Sequence, residues 1–170
     1  MRKNKWIRLC IIASIFFLSS CDNNSEQPTI EQQLLSEMKD TNMEVDEISH
    51  LEVVKDGILI FYTKDNNLNY GFIKLKDGKW EWYFGGGSLP LQKDIDLSSA
   101  GTNLDDFYVY YGLINDNKIK QVKDAESDKL AKIIQTEDGL RIYFFINELV
   151  EGEIKNGTYN HHEMVPVYEN

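Results

Sequence analysis

Cysteine is nearly missing from this chain. The 170 residues hold two, Cys10 and Cys21, and no thiol lies beyond them. The region after residue 21 can therefore form no internal disulfide, thiol nucleophile or cysteine-ligated zinc site. Positive charge is also scarce: 18 Lys and Arg stand against 28 Asp and Glu, a formal net charge of −10. Such a balance is repelled by nucleic acid phosphates, so no nucleic acid partner is expected. Long apolar runs are absent as well. Leu9 to Leu18 is broken only by Ser14, and about ten residues fall well short of the ~20 that span a bilayer as a helix. With hydrophobic residues at 42% and aromatics at 12%, there is ample material for a packed core without covalent staples.

What is present begins at the N-terminus. Arg2, Lys3, Lys5 and Arg8 precede the apolar run, and Leu18-Ser19-Ser20-Cys21 follows it. A basic region, a short apolar region and small residues before a cut describe a signal peptide over 1–20. The cysteine directly after the small residues resembles the lipobox of bacterial lipoproteins. The resemblance implies that the Cys21 thiol carries diacylglycerol and that Cys21 becomes the mature N-terminus. Palmitate-type acyl chains would then anchor the protein to the cell membrane on its extracytoplasmic face, two chains giving the stable attachment that one does not. Loss of residues 1–20 removes four of the 18 cations and no acidic residue, making the rest more acidic still. Residues 21–28 read as a polar tether, and 29–170 as a β-rich domain with two sub-parts at 43–84 and 104–168.

The domain opens with a helical period. Ile30, Leu34 and Met38 recur every fourth residue, and Thr29 with Gln32 has the spacing of a capping box, predicting a helix over 30–40. The period then becomes two. Strands are expected near 57–64, 69–75, 79–84, 107–114, 130–136 and 140–146. Asp56-Gly57, Asp77-Gly78, Asp138-Gly139 and Asn156-Gly157 supply the positive φ angles of tight hairpins. The fold class is mainly β: antiparallel sheets, as a sandwich or two small sheets, with one short N-terminal helix. Gly85 to Asn103 opens with Gly85-Gly86-Gly87-Ser88 and shows little period, so it reads as a long loop.

The segment 56–62 is similar to 138–144, with Ile60 aligned on Ile142. Farther along, Trp80 aligns on Tyr159. A duplication accounts for this; so do two independent hairpins sharing turn chemistry. The run Asp56 to Tyr62, then Gly71-Phe72, Trp80-x-Trp82, Gly85-Gly86-Gly87 and Tyr111 to Asn115 resembles small lipoproteins of Bacillus-type Gram-positive bacteria. That resemblance implies location and architecture and brings no site residues.

Linear motifs for chemistry fail on inspection. His162-Glu163 lacks a second His one turn later, and Pro166 stands there instead. His161, His162 and Glu163 are adjacent in sequence, which sends neighbouring strand side chains to opposite faces. Asp94, Asp96, Ser98, Ala100, Thr102 and Asp105 fall at calcium-loop positions without the sharp-turn glycine or the closing glutamate. No catalytic residue, metal ligand or cofactor is assigned, and His50 reads as a surface strand residue. The remaining candidates are aromatic. Trp80 and Trp82 share an expected strand face with Phe84, while Tyr108 and Tyr110 lie opposite Phe107, Val109 and Tyr111. An exposed stripe of this kind would suit an envelope polymer or a partner protein; a sandwich interior is the alternative. Two functional expectations follow. One is a membrane-anchored binding or accessory module for a protein or envelope polymer. The other is a cell-envelope hydrolase with a dispersed carboxylate site, which would show as convergent Asp or Glu in a cleft.

Overall fold

The computed structural model describes residues 28–169, apart from 42, 44, 56, 105, 106 and 149–161. The signal segment, Cys21, most of the tether, Asp56, Asp105, the Asn156-Gly157 turn, Tyr159 and His161 lie outside the described residues. Helix α1 runs Ile30–Asp40, as the four-residue recurrence predicts. Its N-terminus carries the anticipated box: the Thr29 N–H donates to Gln32 Oε1 at 2.9 Å and the Gln32 N–H to Thr29 Oγ1 at 3.2 Å. These bonds satisfy two amides that the first turn leaves without helical partners.

From Leu34 onward the chain is layered around strands. A meander of β1 (Glu47–Val54), β2 (Gly57–Lys64), β3 (Asn67–Lys76) and β4 (Lys79–Pro90) forms one sheet. A second sheet has the order β5 (Leu97–Leu104), β6 (Phe107–Ile114), β9 (Arg141–Glu148), β8 (Lys132–Gln135). The strands β7 (Ile119–Asp124) and β10 (Met164–Tyr168) pair as a separate ribbon. Every pairing is antiparallel. The expected class, mainly β with one short helix, is what the chain adopts.

Period-two alternation explains the layers. In β2, Leu59 and Phe61 enter the core between the two four-stranded sheets, with Phe72, Tyr111 and Phe144. Ile58, Ile60 and Tyr62 turn the other way, against Leu34 and Met38 of the helix. In β6, Val109 and Tyr111 face the intersheet core while Tyr110 and Ile114 lie under the ribbon with Ile119 and Val122. Aromatic rings dominate the centre: Phe61 meets Phe144 at 5.1 Å and Tyr70 meets Tyr111 at 5.2 Å between centroids. Central strands buried on both faces read as nearly continuous apolar runs, which is why β2 and β6 stand out in the sequence.

Three expectations are corrected. Residues 85–103 are not a long loop: β4 continues to Pro90, β5 starts at Leu97, and 91–96 join them. The glycines belong to the strand because the Trp82 indole lies across it. A methyl group at Gly71 or Gly85 would fall 2.1 Å from that ring, so only bare backbone fits beneath it. Nor does Phe84 share a face with Trp82. Phe72 pairs with Phe84 but Ile73 with Trp82, so Tyr83 is an extra residue, and this bulge shifts the alternation. Third, His50 is not a surface residue. It is half-buried at the sandwich edge, with its ring 5.7 Å from Phe144.

Strands β5, β7 and β10 are absent from the expected set, and β1 figures there only as the strand expected to hold His50. Pro166 sits in β10, whose described pairing is with β7 alone, and a proline is tolerated there because its missing N–H interrupts no second ladder. The two similar segments also part company. Strand β2 lies between its sequence neighbours β1 and β3, whereas β9 lies between β6 and β8. Ile60 and Ile142 are both fully buried, but Ile60 faces the helix and Ile142 the intersheet core. The turns differ too: Gly139 has φ 88°, whereas Gly57 opens β2 without the positive φ expected of it, so chance similarity accounts for the likeness better than duplication.

Candidate functional site

The site arises where one strand ends early. Strand β8 pairs with β9 only from Lys132↔Phe144 to Gln135↔Arg141. Before Lys132 the chain leaves the sheet for the ribbon: the Ala131 N–H donates to the Val122 carbonyl at 2.8 Å, and Leu130 bridges Lys123. Strand β9 continues past Phe144 and still pairs with β6 as far as Phe107↔Glu148. Among the described residues, nothing pairs with the opposite edge of Phe145–Glu148. An open groove of about 350 Å³ lies there.

Its walls come from both faces of the sheet. On the intersheet side stand Glu52, Lys132 and Phe144; on the ribbon side stand Lys129, Leu130 and Asn147. Glu52 comes from β1, so the groove bridges the open edge of the sandwich. The Lys132 ammonium donates to Glu52 Oε2 at 2.6 Å, and His50 Nε2 lies 3.0 Å from the same oxygen. Burial alone would raise the Glu52 pKa, but the bonds and charges of Lys132 and His50 outweigh it and hold the carboxyl below its ordinary value. Lys132 also lies 5.7 Å from the centre of the Phe144 ring. Lys129 donates to Asn147 Oδ1 at 3.2 Å, a neutral acceptor on a buried residue. The groove therefore offers one cation matched by a carboxylate and another matched only by an amide among the described residues.

A second polar cluster lies under the ribbon. Asp124 is 1% exposed. Its Oδ2 accepts from Ser127 Oγ at 2.5 Å and lies 2.8 Å from His162 Nδ1, while Oδ1 accepts the Glu126 N–H at 3.0 Å. Burial would raise the Asp124 pKa, yet the bonds from Ser127, His162 and the Glu126 amide together hold it below the ordinary value. An ionised carboxylate only accepts, so Nδ1 carries the hydrogen of the Asp124–His162 bond. The His162 N–H in turn donates to the Tyr110 hydroxyl at 2.9 Å. An Asp–His pair invites a relay reading, but the geometry does not form one. The Ser127 hydroxyl is spent on Asp124, and Nε2 faces Glu126 at 3.5 Å. The arrangement fastens the start of β10 to the end of β7.

The four aromatics singled out in the sequence do not converge. Trp80 and Trp82 are partly buried in the layer beneath the helix. Tyr110 is buried under the ribbon with Tyr108 beside it, ring centroids 4.3 Å apart. None of them lines the groove. Tyr83 and Phe84 are exposed instead, with the Lys74 ammonium 3.7 Å from the Tyr83 ring centre. Asp94 and Asp96 sit in the bend before β5, while Ser98 to Thr102 extend along it, and an extended strand cannot wrap a cation as a calcium loop does. Among the described residues, no group of three His, Cys, Asp or Glu is placed to hold a metal ion, and no helix is long and apolar enough to cross a membrane. No linear pattern points to Glu52, Lys129, Lys132 and Asn147, which meet only through the packing of β1 against β8 and β9. No family model, curated protein or solved structure matches the chain.

Proposed function

We propose that this chain is a lipid-anchored, extracytoplasmic binding module, and that it engages a protein partner through the groove between Glu52, Lys129 and Lys132. The lipobox-like Leu18–Cys21 segment supports the anchoring. The observation that carries the binding role is a solvent-open groove lined by two lysines on a chain of net charge −10. Local charge opposed to the bulk charge favours selective recognition of an anionic group. A hydrolase with dispersed carboxylates finds less support. Among the described residues, Glu52 is the one carboxylate in the groove wall, and Lys132 and His50 already occupy it. Asp124 is enclosed and fully bonded.

Two measurements test the proposal. Cys21→Ala should move the protein from the membrane fraction to the soluble fraction, and mass spectrometry should find the lipid on Cys21 of the unaltered chain. Crosslinking in intact cells followed by pull-down should recover a partner whose yield falls with Lys129→Glu. An unmodified Cys21 would refute the anchoring. A partner yield that ignores Lys129→Glu and Lys132→Glu alike would refute the groove as its seat.

A further inference from the structure

The mode of recognition follows from the register of the walls, given the binding role proposed above. Consecutive residues of a strand point to opposite faces. Four of them, Phe144 to Asn147, nevertheless line a single groove. That happens only when the groove runs along the edge of the strand and reaches both faces around it. Here the edge is the part of β9 that β8 abandons at Lys132, and among the described residues it has no strand beside it. We infer that this edge accepts an extended acidic peptide segment of the partner as an added strand, in line with β8.

Backbone bonds from β9 would supply most of the affinity, as in other strand-addition complexes, and side-chain pockets the selectivity. The stretch Phe145–Glu148, unpaired on this edge among the described residues, accommodates about three or four paired residues at ~3.3 Å each. Successive side chains of the incoming strand would face Lys132 and Phe144 on one side, then Lys129 and Asn147 on the other. Both sides present an ammonium, so adjacent acidic residues in the peptide each meet one. The Lys132 ammonium already bonds Glu52 and offers the peptide its remaining donor hydrogens, so Lys129, matched only by an amide among the described residues, carries the larger share of the charge selectivity. Leu130, 60% exposed at the mouth of the groove, adds an apolar contact for a flanking aliphatic residue.

The test uses the full-length chain, 15N-labelled and solubilised in detergent. The probe is the hexapeptide acetyl-Thr-Val-Glu-Glu-Val-Thr-amide. Saturable shifts are expected at the amides of Phe145, Ile146 and Asn147. Lys129→Glu and Lys132→Glu should each weaken binding about tenfold, and a peptide with Lys in place of both Glu should recover affinity for the double variant. Lys129 is exposed, so its reversal leaves folding intact even if Lys132→Glu disturbs the Glu52 contact. Methylating alternate peptide nitrogens should abolish the shifts. Equal binding by the methylated peptide overturns strand addition, as does the same response to acetate alone. Self-association through these amides without peptide binding would assign the edge to a second copy and also overturn the inference. If the peptide fails but crosslinked partner still depends on Lys129, the binding role survives and strand addition does not.

Discussion

Removing the Asp124 carboxylate should be among the most damaging single changes outside the apolar core. Asp124→Ala deletes three acceptor contacts, from Ser127, His162 and the Glu126 amide, at a site 1% exposed. Bonds to a buried charged group contribute about 1.5–3 kcal/mol each. Ser127 and Glu126 are exposed and can recover water, whereas His162 is largely enclosed, its side chain only 15% exposed. The net loss should be about 3 kcal/mol, at the lower end of the ~3–5 kcal/mol for breaking a buried pair. With a urea slope of about 1–3 kcal/mol per molar, the midpoint should fall by at least about 1 M. Asp124→Asn keeps an acceptor but loses the charge, and should cost about half as much. The effect has a pH signature. The folded carboxyl is held below its ordinary value, so the unfolded chain takes up the proton first as pH falls. The stabilisation is therefore complete above the unfolded pKa of about 3.9 and is lost as pH drops through the folded value. Urea unfolding of the unaltered chain and Asp124→Ala should show a full gap at pH 7 that narrows below about pH 4. A gap under about 0.5 kcal/mol at pH 7, or one unchanged at acid pH, would refute the reasoning.

Two further outcomes follow from packing. Gly85→Val should cost about 1–3 kcal/mol by overpacking, because its Cβ would meet the Trp82 ring; a red-shifted tryptophan emission in the folded protein would report the displaced indole, and unchanged emission and stability would contradict it. Ile60→Ala and Ile142→Ala should each cost about 2–5 kcal/mol, since both are fully buried. They belong to separate cores, so denaturation of the double variant should give the sum of the two within about 0.5 kcal/mol.

The elements that were legible in the sequence are those where one physical demand dominates. Strands β2 and β6 are buried on both faces and contain almost nothing but aliphatic and aromatic residues. The Asp77-Gly78 turn has φ values of 50° and 77°, the mirror-type hairpin its residue types require. The failures come from residues with two meanings. Gly85-Gly86-Gly87 has the composition of a loop, yet in β4 Gly85 makes room for Trp82 and Gly87 for Tyr70 and Tyr111. Only the knowledge that a tryptophan two strand positions away must lie flat on the sheet would separate these meanings. Strand β7 carries Lys120, Lys123 and Asp124, and β10 a proline, residues that lower strand propensity. Their pairing is held by Asp124 and His162 across 38 residues of sequence, a distance over which local pattern carries no signal.

The groove was illegible for a different reason: it is made by the end of a strand rather than by a set of residues. If β8 extended four positions further back along β9, the edge of Phe145–Glu148 would be covered and no groove would form. This origin also sets the rival explanation for the lysines. Exposed sheet edges are commonly guarded by lysine, which discourages indiscriminate pairing between chains. A guard and a recognition site use the same residue at the same place, but they differ in their response to charge sign. A guard works by placing any charge at the edge, so Lys129→Glu would leave the association state unchanged and merely repel acidic and accept basic strands weakly, without saturation. A recognition site orients its cation toward a defined position, here through the 3.2 Å bond that holds the Lys129 ammonium against Asn147 on the groove wall. Holding a long side chain in one place costs rotamer entropy, about 1.5–2 kcal/mol for a fully fixed lysine, which a guard has no need to lose. Asn147→Ala separates the two: it frees Lys129 without removing its charge. Edge protection should then persist, with the sedimentation coefficient unchanged, while acidic-peptide affinity falls about as far as with Lys129→Ala. Unchanged affinity in Asn147→Ala would leave protection of the edge as the better account of both lysines.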